Sequence, residues 1–217
     1  MSEKTTLQVH PHNPYAAGEA QASLNTLGMW VFLTTEVMFF GGLFTGYMIL
    51  RLLYADTFAE ASRHLDLIAG AVNTFILLTS SFSMALSVRA ARLGKNFALF
   101  FFLFITIMLG TAFLGIKFYE YYLKFQEGLI PTASFVYEGE NPGQARLFFS
   151  LYFIMTGLHA VHMIIGIFIL SIAALMALFK RFSETRYAPI ETIGLYWHFV
   201  DLVWIFLFPL LYLIDRT

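Results

Sequence analysis

Residues 193–214 read IGLYWHFVDLVWIFLFPLLYLI, a run long enough and apolar enough to cross a bilayer, yet it holds a carboxylate, Asp201, inside it. A membrane helix needs about 20 predominantly apolar residues. An isolated acid in hydrocarbon is costly, so a chain that keeps one there gives it a partner, a cavity or a task. The same combination occurs at residues 30–51, where Glu36 stands among Val37, Met38, Phe39 and Phe40. Working outward from these two runs, the hydropathy predicts five spans, at about 27–53, 67–90, 97–122, 147–179 and 192–214. The expected fold is an all-α, polytopic membrane protein: a polar N-terminal segment, 1–23, and a five-helix membrane domain, 24–217. The fourth span exceeds a crossing and is expected to tilt or protrude.

Composition agrees. The 217 residues are 59% hydrophobic and 12% charged, against about 25% charged in soluble domains. With a net charge of −1 and no basic patch, nothing points to nucleic acid. The absence of cysteine excludes disulfides, iron–sulfur clusters, thiolate copper sites and a cysteine nucleophile. The first 23 residues lack the basic start and short apolar core of a cleavable signal peptide.

Five crossings put the N-terminus and two short basic turns on one side. That side carries Lys4, Arg89, Arg92, Lys95, Lys180, Arg181 and Arg186; the other carries Arg51, Arg63, Lys117, Lys124, Arg146 and Arg216. Basic density in short loops marks the cytoplasmic face. The expected orientation is therefore N-terminus cytoplasmic, C-terminus periplasmic. Tyr54, Tyr119, Tyr121, Tyr122 and Tyr212 would then form an outer aromatic belt.

Glu36 lies roughly ten residues into its span, about 15 Å deep at 1.5 Å per residue. Two readings stand side by side: a proton-linked or gating carboxyl, and a neutral acid bonded to a facing helix. Gly42 and Gly46 have the small-residue spacing of a helix-packing seam, on a different face from Glu36. His159 and His162 are three apart and share a face of the fourth span; His198 and Asp201 do so on the fifth. These four fall near mid-depth with Glu36. They read first as an intramembrane polar seam, with Asn73 and Thr74 as further helix-to-helix hydrogen bonders, and second as imidazole and carboxylate metal ligands. The usual metal-helix spacings, HExxH or paired ExxH, are absent. Lys117 and Glu120, three apart where the third span leaves the membrane, read as a surface ion pair. No phosphate loop and no Ser-His-Asp arrangement appears, so no catalytic residue is assigned.

The motifs resemble one family. Residues 196–204, YWHFVDLVW, resemble the last-helix signature of subunit III of haem–copper terminal oxidases. Residues 156–162, TGLHAVH, resemble that family's TGxHGxHV motif, with Ala160 in place of glycine and Met163 in place of valine. Residues 35–40, TEVMFF, resemble its SEVMFF segment, Thr35 replacing serine. Asn73, Thr74, Leu77, Leu78, Ser80 and Ser81 resemble its next helix, and Leu109, Gly110, Glu120 and Tyr121 the one after, with Lys117 where glutamine is common. The matches touch all five spans, as in a short form lacking the first two of seven helices.

The resemblance implies a non-catalytic integral subunit of a proton-pumping oxidase, cytochrome c oxidase in the first reading, in a bacterial plasma membrane. Its implied partners are the catalytic subunit I, the copper-carrying subunit II and membrane lipid. Haem and copper would sit in those partners, with no cofactor or metal in this chain and a phospholipid bound in its helix cleft. The implied task is to protect the catalytic subunit and support proton uptake. Glu36 matches the family's carbodiimide-reactive carboxyl, and His159, His162, His198 and Asp201 its intramembrane polar positions. The alternatives are a quinol oxidase subunit or nitric oxide reductase accessory protein, an intramembrane metalloenzyme, and a small transporter using Glu36 as a relay.

Overall fold

Backbone polar groups in hydrocarbon must be satisfied within their own segment, and each predicted span folds as one long helix. The computed structural model describes residues 14–132, 135–183 and 187–213, except the side chains of 14–23 and 25. Among these residues all regular structure is helical: α1 (Pro14–Leu53), α2 (Ala55–Ser62), α3 (Leu67–Arg92), α4 (Asn96–Gln126), α5 (Pro142–Leu178) and α6 (Ala188–Tyr212). Five of the six, all but α2, are long and apolar enough to span. Helix α1 starts within the segment expected as polar. Lys4, His10, His12, Arg186, Ile214 and Arg216 lie outside the described residues.

Local signals set the ends. Asp66 caps α3 by accepting from the backbone N–H groups of Ile68 (2.9 Å) and Ala69 (3.1 Å), satisfying two of the orphan donors of a first turn. Gly94 takes φ 64° just past α3. The N–H of Lys95 reaches Ala90 O and that of Gly94 reaches Ala91 O, the paired closure that a left-handed residue permits. Lys180 plays the same part after α5 at φ 53°, with Lys180 N–H to Ala177 O and Arg181 N–H to Met176 O.

Helices α3, α4, α5 and α6 pack in a ring, α3 on α4 and α6, α5 on α4 and α6. Helix α1 leans on α6 and α5 from outside; only 11% of its most apolar stretch is buried, against 50% for α6. Trp197 of α6 fastens the ring. A Cβ on Gly110 of α4 would lie 2.8 Å from its ring, and one on Gly166 of α5 2.9 Å, so the indole fills space that only glycine leaves. Its Nε1–H donates to Ser80 Oγ of α3 at 3.1 Å.

Helix α5, 37 residues long, is about 55 Å at 1.5 Å per residue, well over the roughly 30 Å of hydrocarbon. Its first turns extend beyond the bundle, where α2 packs on them through Phe58 and Phe148, ring centroids 5.4 Å apart. The tyrosines expected to form an aromatic belt do not all face outward from the bundle. Tyr119 and Tyr122 are exposed, but Tyr212 is fully buried, and Tyr121 turns inward to within 2.6 Å of Thr156 Oγ1.

Candidate functional site

Glu36 meets His162 where α1 leans on α5. Glu36 Oε2 lies 3.3 Å from His162 Nε2, with both side chains largely buried. His162 Nδ1 is 2.8 Å from Leu158 O. A carbonyl can only accept, so Nδ1 carries a proton, and the imidazole keeps Nε2 for Glu36. Acid and base thus face each other as a close couple. Phe40 packs on the His162 ring at 5.5 Å, and Tyr196 of α6 donates to His162 O at 3.0 Å. The couple opens on an apolar cavity of about 360 Å³ lined by Met29, Phe32, Ile165, Ile169 and Ile193 beside Tyr196.

His198 and Asp201 share a face of α6, as their spacing predicts, and look toward α3. Ser81 Oγ is 2.7 Å from His198 Nδ1, and Ser81 also faces the Asp201 carboxyl. Trp204 Nε1–H donates to Thr74 Oγ1 at 3.1 Å. Neither Asp201 oxygen has a hydrogen-bond partner among the described residues.

The expected single seam is therefore divided. His159, three residues from His162, points into the ring of helices. It is 1% exposed, and its ring sits 5.4 Å from those of both Phe113 and Trp204, with neither nitrogen hydrogen-bonded among the described residues. Of the two expected cross-helix hydrogen bonders, Thr74 accepts from Trp204, while Asn73 is fully buried and neither of its amide atoms has a partner among the described residues. Among the described residues no three His, Asp or Glu side chains cluster as a metal site would need. Gly42 and Gly46 line no seam within this chain: a Cβ on either would meet nothing within 4 Å.

Lys117 and Glu120 are the largest correction, because they form no surface pair. They are 2% and 3% exposed. Lys117 Nζ donates to Glu120 Oε2 (2.9 Å), Tyr212 OH (2.8 Å) and Tyr152 OH (3.1 Å). Tyr212 OH in turn donates to Glu120 Oε1 at 2.7 Å. Four rings, Tyr121, Tyr152, Trp204 and Tyr212, stand 5.0–5.4 Å from Nζ, within cation–π range. The sequence signal was available: a lysine in a strongly apolar helix, with tyrosines at the same depth on two others.

The comparisons with known proteins fit this geometry. Residues 15–215 match the family described as Cytochrome c oxidase subunit III. A Staphylococcus haemolyticus protein named Probable quinol oxidase subunit 3 is 31% identical over 210 residues, covering 96% of this chain and 98% of its own. Proteins of the same name from Staphylococcus epidermidis and Staphylococcus aureus are 33% and 32% identical over 216 and 211 residues, with the same coverage.

Proposed function

Since the chain belongs to the cytochrome c oxidase subunit III family of haem–copper oxidases, we propose that it is a non-catalytic integral subunit of a respiratory terminal oxidase in a bacterial plasma membrane, seated beside subunits I and II. The observation that carries this reading is the family match over residues 15–215. Oxygen chemistry belongs to the assembly, with haem and copper in the partner subunits. His159 is walled in by Phe113 and Trp204, a setting that suits packing rather than ligation.

The Glu36–His162 couple supports a role in proton uptake or in protecting the catalytic subunit during turnover. The apolar cavity beside it suits a phospholipid acyl chain, its polar end near Glu36. Glu36→Gln in the assembled oxidase is expected to leave haem content near normal and to shorten activity over successive turnovers or alter proton uptake. A variant equal to the parent in pumping and in lifetime contradicts this role.

The resemblance alone implies cytochrome c as the electron donor. The names of the relatives from three staphylococcal species favour quinol. Purified with its partners, a quinol oxidase shows no dinuclear copper centre and oxidises quinol directly; a cytochrome c oxidase shows that centre.

A further inference from the structure

Asp201 has no part in the Glu36–His162 couple, and its surroundings point to a ligand. Its side chain is 3% exposed, and both oxygens lack a hydrogen-bond partner among the described residues. An unpaired buried polar group costs about 1–3 kcal/mol. The carboxyl lines a half-open cavity of about 200 Å³ between α3 and α6, with Ser81 and His198 beside it. A second cavity, about 290 Å³, follows the same two helices toward the α3–α4 turn, and His198 lines both. Ala85, Val88, Gly194 and Leu195 line that stretch. At its end Arg92 Nε meets Glu191 Oε1 at 2.6 Å, across the two helices.

The polar residues fall in register. On α6, Glu191, His198 and Asp201 stand at i, i+7 and i+10, one face of a helix. Asp201 lies about 20 Å along α6 from Ala188 at 1.5 Å per residue, so the stripe runs from the membrane surface to mid-depth. A buried water needs roughly 10–15 Å³ of such space and two to four polar partners. The inner cavity offers the room, and the Asp201 oxygens, His198 and Ser81 offer the partners. An acyl chain or apolar side chain lying there would leave the carboxyl with nothing but the Ser81 hydroxyl, which also serves His198.

We propose that the α3–α6 groove is a hydrated inlet that carries water from the membrane face bearing the α3–α4 turn, past Arg92–Glu191 and His198, to Asp201. It is separate from the Glu36 cavity, which is lined by α1, α5 and α6.

The chain has no cysteine, so an introduced thiol is its only one. The thiolate is the reactive form, and it does not form in hydrocarbon. The full chain is expressed in its native membranes, prepared as sealed vesicles of each orientation, and treated with a small charged thiol reagent; labelling is read by the mass of this chain. From the α3–α4 side, Ser81→Cys and Ala85→Cys are expected to label roughly ten-fold faster than Phe75→Cys and Phe82→Cys, exposed apolar positions on the same helix, because only a hydrated thiol ionises. Adding Ala85→Leu, which narrows the outer cavity without burying a new group, is expected to slow Ser81→Cys several-fold. Labelling of Ser81→Cys no faster than of Phe82→Cys means that lipid or a partner helix fills the groove, and overturns the proposal. Equal labelling from both faces, or no effect of Ala85→Leu, overturns the inlet's direction and route.

Discussion

Glu36 of α1 and His162 of α5 face each other across a 3.3 Å contact at the outer edge of the helix ring. Because His162 Nδ1 already donates to Leu158 O, Nε2 is the sole acceptor the ring can offer the carboxyl. His162→Leu removes the base that faces the Glu36 carboxyl. A hydrophobic carbodiimide, which attacks a protonated carboxyl, is then expected to modify Glu36 several-fold faster, and Glu36→Gln to abolish the α1 label. Unchanged labelling in His162→Leu would show that the two groups are not coupled.

The Lys117 cluster predicts strongly non-additive energetics. Lys117→Met strands the Glu120 carboxylate between α4 and α6 and is expected to cost about 3–5 kcal/mol, the range for breaking a buried pair from one side. The double variant Lys117→Met, Glu120→Leu removes both charges and is expected to regain most of that loss. Thermal unfolding of the purified protein in one detergent gives both values. Additive losses would mean that the pair does not act as a unit.

Trp197 predicts a steric contrast within α5. Gly166→Ala puts a Cβ 2.9 Å from the indole and is expected to cost about 1–3 kcal/mol through overpacking. Gly157→Ala, on the same helix with nothing within 4 Å of the new atom, is expected to be neutral or slightly stabilising. Equal melting temperatures for the two variants would show that the indole shifts aside freely.

Lys180 holds a left-handed conformation, φ 53°, which an L-residue adopts at a cost of roughly 1–2 kcal/mol. Lys180→Gly relieves that strain at the end of α5 and is expected to raise the melting temperature, while Gly94→Ala, at φ 64°, is expected to lower it. A lower melting temperature for Lys180→Gly would mean that its ammonium matters more than its backbone.

The spans were legible because a bilayer makes a simple demand: about 20 apolar residues in a helix that satisfies its own backbone. Relative height was legible for one pair: residue counting puts Glu36 level with His162, and the two meet. Azimuth was not. His159 and His162 are three apart, about 60° around the helix at 100° per residue, and that angle separates the interior from the α1 interface. The pairing of His198 with Asp201 survived because both fall toward the one neighbour, α3. Lys117 was misread because hydropathy scores each residue's own polarity and is blind to hydroxyls that arrive from other helices: Tyr152 and Tyr212 satisfy the ammonium. Gly42 and Gly46 had packing spacing, but α1 presents that face outward, away from this chain's own helices.

Capture of the intact complex through a tag on this chain, followed by haem and metal counts on the complex and on this subunit after separation, tests the central claim most directly. The account predicts that haem and copper come with the captured complex and remain with its other subunits, and that Glu36→Gln leaves those counts unchanged. Stoichiometric haem or redox metal bound by this chain's own side chains, or oxygen reduction by this chain alone, would contradict it.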